Sequence, residues 1–181
     1  MKKLVYLIAF TISTALSLQA SFRETEVKVS EGVSGKLVVP VKGKPQEAVL
    51  ILHGFNDHMD GVGDLQKQLA QSLADEKIAS LRINFRGEGE RNDSVITSTL
   101  ESRLADAEAG YEFLKEKFPK TKLGVNGWSM GGSTAILLIG THPEWLQSTV
   151  LWSSGGSNST DQLRESRNAE RNALIKEIIT T

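Results

Sequence analysis

The chain has 181 residues, 21 Lys and Arg against 22 Asp and Glu, a formal charge of −1 and 39% hydrophobic residues. That length and apolar share suit one packed domain and exclude a disordered chain, and the near-neutral charge gives no electrostatic case for nucleic-acid binding. Zero cysteine removes disulfides, thiolate metal sites and a Cys nucleophile, and three histidines, at 53, 58 and 142, are too few for a His-rich metal site.

The first twenty residues read as an address. Met1-Lys2-Lys3 is a short basic start, Leu4 to Leu18 is apolar apart from a few hydroxyls, and Leu18-Gln19-Ala20 offers a small residue before the composition turns polar at Ser21. This order predicts a secretory signal at 1–20, hence an exported protein, periplasmic or extracellular. The apolar run carries Thr11, Ser13, Thr14 and Ser17 and is short for a membrane span. Cleavage removes Lys2 and Lys3 and no acid, shifting the formal charge from −1 to −3.

Beyond the signal, strands alternate with helices. Val27, Val29 and Leu37-Val38-Val39 predict two short strands around a turn at 31–35. Ala48 to Leu52 is a continuous apolar run, as a strand buried on both faces requires. Leu65, Leu69 and Leu73 recur every four residues with Ala70 and Ala74 beside them, which predicts a helix. Ile78 to Phe85 reads as a second buried strand. Leu100, Leu104, Ala107, Tyr111, Leu114 and Phe118 then trace an amphipathic helix stopped by Pro119. Leu123 to Asn126 predicts a strand entering Gly127-Trp128-Ser129-Met130-Gly131-Gly132, and Ser133 to Thr141 a helix apolar nearly all round and expected to be buried. Ser148 to Trp152 is the last predicted strand, and Ser159-Thr160-Asp161-Gln162 a capping box opening a polar final helix. Alternation of this kind predicts an α/β fold, a mostly parallel sheet covered by helices on both faces.

Gly127-Trp128-Ser129-Met130-Gly131 is a Gly-x-Ser-x-Gly between a predicted strand and a predicted helix. Such a turn exposes the serine hydroxyl above the sheet edge, and side chains at 127 or 131 are expected to collide with neighbouring backbone. Ser129 is therefore the candidate nucleophile. An ester-cleaving serine also needs an oxyanion hole, from the N–H of the residue after it, Met130, and an N–H of the loop His53-Gly54-Phe55-Asn56-Asp57-His58, where Phe55 is the candidate.

Leu52-His53-Gly54-Phe55, Asn84-Phe85-Arg86-Gly87-Glu88-Gly89 and Gly127-Trp128-Ser129-Met130-Gly131-Gly132 together resemble the α/β-hydrolase superfamily, above all its cinnamoyl/feruloyl-esterase and serine-aminopeptidase-like branch. The resemblance covers roughly residues 25–156. It implies an α/β-hydrolase fold, a Ser129 nucleophile, oxyanion donors at Phe55 and Met130, and a structural role for the Arg86-Gly87-x-Gly89 loop. Family members often carry His where this chain has Glu88.

The resemblance also implies a triad running Ser, then an acid, then His along the chain. After Ser129 the one histidine is His142, which precedes Asp161. It lies 13 residues on, largely along a helix running away from the site, so its ring is expected about 15 Å or more from the hydroxyl. It reads instead as a helix-end residue. His58 shares the loop of Phe55 and is the candidate base within the chain, against a plain reading as a solvated loop residue. His53 reads as a structural hydrogen-bonder, Asp57, Asp60 and Asp64 as loop and helix-start acids, and Trp128 as packing beneath the turn.

These readings divide the chain into a signal at 1–20, an α/β-hydrolase core at 21–158 that lacks its last strands, and the start of a lid or cap helix at 159–181. The chain is expected to be truncated, with the triad acid and His in sequence it does not contain. Apolar pairs Leu174/Ile178 and Ile175/Ile179, with no later element to cover them, point the same way. The expected function is an exported serine hydrolase cleaving carboxylic esters through an acyl-enzyme. The substrate is a small-molecule ester, with feruloyl, acetyl, lipid and thioesters and short peptides all open. No cofactor, no metal, no nucleic-acid partner and no membrane span after signal cleavage are expected. Oligomeric state is open. The other reading is a non-catalytic relative acting in binding. By itself the chain is expected to be weakly active and poorly stable.

Overall fold

In the computed structural model, residues 21–88 and 98–154 are described. They form six strands, three α-helices and one 3-10 turn at Val62–Asp64. The elements are β1 Phe22–Ser30, β2 Val33–Pro40, β3 Glu47–Leu52, α1 Leu65–Asp75, β4 Ala79–Ile83, α2 Leu100–Lys117, β5 Lys122–Trp128, α3 Met130–Thr141 and β6 Ser148–Trp152. The expected signal and the expected final helix from Ser159 lie outside the described residues.

The strands make a single sheet in the order β1-β2-β4-β3-β5-β6. β4, β3, β5 and β6 run parallel, while β2 is antiparallel to both β1 and β4. The chain thus has the α/β fold that its alternation of elements implies. β3 lies between β4 and β5, which explains its unbroken apolar sequence: Ala48, Leu50, Ile51 and Leu52 are all buried. α2 and α3 cover one face through Ala107, Tyr111, Leu114, Ala135 and Leu138, packed on Leu50, Leu81, Ile83 and Val125. α1 covers the other face with Ala70 and Ala74 against Val38 and Ile51.

Three expectations are corrected. The buried stripe of α1 is Gln66, Ala70 and Ala74, not the leucine row: Leu65 is exposed, while Leu69 and Leu73 are partly buried. The buried face of α2 takes in Arg103 and Asp106, and Leu100 is exposed. α3 is covered on one side only among the described residues, where Ile136, Leu137 and Ile139 remain half-buried.

Candidate active site

Ser129 sits between the end of β5 and the start of α3 with φ 53° and ψ −119°. A positive φ at a non-glycine residue is strained and persists only where the surroundings impose it. Here both flanks impose it. The Ser129 N–H donates to the Trp152 carbonyl at 2.8 Å, and its carbonyl accepts from the Gly132 N–H at 2.9 Å. A Cβ on Gly127 would strike the Gly131 carbonyl, and one on Gly131 would strike the carbonyl oxygen of Leu52. Close backbone approach therefore joins β3, β5 and α3 at this one point, and only glycine permits it.

The loop after β3 lies against the same turn. A Cβ on Gly54 would lie 3.0 Å from the Trp128 ring and 3.4 Å from Ser129 Cβ. Trp128 is thus packing beneath the loop. Phe55 follows with an exposed side chain. Neither the Phe55 N–H nor the Met130 N–H donates to a protein acceptor among the described residues. For Met130 this is the ordinary condition of a first helical residue, whose N–H has no carbonyl one turn back. The helix dipole places partial positive charge at that end.

His53 is fully buried. Its Nδ1–H donates to the Gly54 carbonyl at 2.8 Å, and its Nε2 accepts from the Phe85 N–H at 3.4 Å, which fixes one neutral tautomer. Burial, with the Arg103 guanidinium nearby, pushes its pKa down to about 4. His58 accepts from the Asp60 N–H through Nδ1 at 3.2 Å, and no hydrogen bond among the described residues joins it to Ser129. His142 caps the C-terminus of α3, stacks on Trp145 with ring centroids 3.7 Å apart, and sets Nε2 2.8 Å from Glu108 Oε1. His53 and His142 are thus engaged in other contacts, while the one hydrogen bond of His58 among the described residues uses its Nδ1.

Of the acids, Asp60 pairs with Lys36 at 3.1 Å and with Arg82 at 2.9 Å, tying the loop to the sheet. Partial burial opposes its ionisation, yet bonds and charge from Lys36 and Arg82 hold its carboxyl below the usual carboxylate range. Asp106 takes both the N–H and the Nε of Arg86, at 2.8 and 2.6 Å, so Arg86 does structural work. Among the described residues no group of three or more His, Asp or Glu is arranged to hold a metal ion. No described helix is long and apolar enough to cross a membrane.

A buried pair, Arg103 and Glu88, stands directly behind the loop of Phe55. It was not among the expected site residues. Its sequence signal is the spacing of Arg103, Ala107, Tyr111 and Leu114, which sets a cation on the apolar stripe of α2.

The family described as serine aminopeptidase, S33, matches residues 43–174. The chain belongs to this family. It is thereby a member of the α/β-hydrolase superfamily. It is 29% identical over 115 residues to the esterase EstD of Thermotoga maritima, a match that covers 61% of this chain and 28% of that protein. Among solved structures it is similar to a thermostable carboxyl esterase from Bacillus coagulans, with a TM-score of 0.62 at 19% identity, covering 86% of this chain and 52% of the other. It is also similar to the ferulic acid-bound Est1E of Butyrivibrio proteoclasticus, with a TM-score of 0.59 at 20% identity, covering 69% and 50%. At these identities the structural likeness speaks for the fold. The chain spans little over a quarter of the length of EstD and about half of each of these two structures.

Proposed function

We propose that this chain carries the nucleophile and oxyanion hole of a serine hydrolase that cleaves carboxylic esters. The observation that carries the reading is Ser129, held in a strained turn at the head of α3 beside two backbone N–H groups without protein acceptors. The Ser129 Oγ attacks the acyl carbon. The carbonyl oxygen, gaining negative charge, is held by the N–H groups of Phe55 and Met130, and the N-terminus of α3 adds its partial positive charge. The alcohol leaves with a proton, and water then releases the acid from the acyl-enzyme. We place the base and its carboxylate partner outside these 181 residues, because the one histidine after Ser129, His142, is paired with Glu108, and His53 is buried in its own hydrogen bonds. The esterase names of the relatives support small-molecule esters as the substrate class. The basic, apolar, small-residue order at 1–20 supports export, which the N-terminal residue of the mature protein tests.

A fluorophosphonate probe tests the chemistry. The protein with its full coding sequence should label, and Ser129→Ala should not; labelling that persists in the variant sinks the reading. The engagement of His53 and His142 elsewhere also favours a second reading, a non-catalytic relative that binds without turnover. Reading the coding DNA past codon 181 separates the two, since a later acid and a later histidine belong only to the first.

A further inference from the structure

Arg103 lies on α2, is fully buried, and has its guanidinium carbon 3.7 Å from the centre of the Phe85 ring. It cannot reach a substrate. Each of its nitrogens is nonetheless committed to a different part of the site. Nη2 donates to the His53 carbonyl at 2.5 Å. Nη1 donates to Glu88 Oε1 at 2.5 Å, and the other oxygen of Glu88 accepts from the Asn56 N–H at 3.0 Å. Nε donates at 3.2 Å to Thr134 Oγ1, whose own proton goes to the Met130 carbonyl at 3.1 Å. Ser98 Oγ donates to Glu88 Oε1 and completes the carboxylate.

We propose that Arg103, acting with Glu88, is the positioning residue that sets the spacing between the two oxyanion donors. It grips the loop on both sides of Phe55, at the His53 carbonyl and, through Glu88, at the Asn56 N–H. Through Thr134 it grips the first residue of α3, Met130. One planar cation thus spans both halves of the hole. This inference rests on the reading that the Phe55 and Met130 N–H groups hold an oxyanion.

Stability alone gives no reason for this arrangement. A buried ion pair seldom outperforms apolar side chains of similar volume, because both charges must leave water. A fork with fixed geometry is what an apolar core cannot supply, and lysine, whose three N–H donors all radiate from one nitrogen, cannot span partners that Arg103 reaches with three separate nitrogens in a rigid plane. Preorganised donors matter because they meet the developing charge without rearranging. A hole whose halves drift apart would bind the ester about as well and stabilise its transition state less.

The test uses the protein with its full coding sequence carrying Arg103→Lys or Glu88→Gln, the second keeping the shape of its side chain without the charge. Amide exchange of Asn56 is read by mass spectrometry with the amides of α1 as an internal control, and p-nitrophenyl acetate hydrolysis is followed in parallel. In Arg103→Lys the Asn56 amide should exchange at least about tenfold faster while α1 is unchanged, and kcat should fall about 10- to 100-fold with KM steady. Glu88→Gln should move both readouts in the same direction by less. Wild-type exchange at Asn56 in a folded variant overturns the proposal. So does an equal rise across α1, a change in KM alone, or failure of both variants to melt cooperatively, which would make the pair a requirement of the fold. Absence of ester turnover in the wild-type protein with its full coding sequence would count against the esterase reading, while Asn56 exchange would still decide whether Arg103 holds the loop.

Discussion

The backbone of Ser129 stores strain that can be read separately from its hydroxyl. At φ 53° and ψ −119° a side chain is disfavoured, typically by about 1–3 kcal/mol. Ser129→Gly releases that strain but gives about 1 kcal/mol back through a freer unfolded chain. A net gain of about 1 kcal/mol is expected in urea unfolding, whereas Ser129→Ala keeps the Cβ and should leave stability near wild type. Both should lose probe labelling. Gly131 is the opposite case. A Cβ there meets the Leu52 carbonyl, which belongs to the central strand and cannot yield, so Gly131→Ala should destabilise by at least about 2 kcal/mol in the same measurement. His53 sets a pH dependence. Its pKa is about 4 in the folded chain against 6.5 for the free side chain, so between those values the unfolded chain binds the extra proton. Stability from this residue is therefore fully present above pH 6.5 and lost as the pH falls to 4, on the order of 3 kcal/mol in all. Arg103 depresses the value while Glu88 and Asp57 raise it, so the slope belongs to the cluster. His53→Asn should flatten melting temperature against pH in that window; an unchanged slope would assign it to other groups.

At the scale of the helix, α2 shows how far periodicity reaches. Its N-terminus is a reciprocal cap, with the Ser102 N–H donating to Thr99 Oγ1 at 3.1 Å and the Thr99 N–H to Ser102 Oγ at 2.9 Å. Thr99→Ala should cost about 1 kcal/mol in denaturant unfolding. The row Leu104, Ala107, Tyr111, Leu114 does face the core, but Leu100 one turn earlier lies above it in solvent. Leu100→Gln should accordingly stay within about 0.5 kcal/mol of wild type, and Leu114→Ala should cost about 2–5 kcal/mol. The same helix marks the limit of reading from sequence. Spacing located the strands, the helices and the Ser129 turn, because burial and backbone sterics act through near neighbours in the chain. It did not find the pairing of Arg103 with Glu88, or of Arg86 with Asp106, because those partners come together only when α2 folds over the end of β4. The burial of α1 differs for a related reason. The two alanines that enter the sheet face allow close approach, and the leucine row is turned to the flank.

For the molecule as a whole, β6 is the element out of balance. It pairs with β5 on one side and ends the sheet on the other among the described residues. Successive residues of a strand point to opposite faces, and Val150 is 51% and Leu151 42% exposed, so the described residues leave both faces partly open. A near-continuous apolar strand of this type normally has cover on both faces of a parallel sheet and a neighbour along its edge. An exposed apolar edge with unpaired backbone groups offers a template for another chain. Residues 21–181, purified alone, should therefore self-associate with rising concentration in sedimentation velocity. Val150→Lys places a charge on that edge, which is how natural edge strands avoid pairing. It should suppress the association while leaving the unfolding free energy within about 0.5 kcal/mol, as expected for an exposed site. In a longer gene product whose added sequence covers β6, the same lysine would be buried without a partner and should cost several kcal/mol. A loss of that size in the 21–181 protein would mean that Val150 is already covered, and that the edge of β6 is not the surface through which the chain associates.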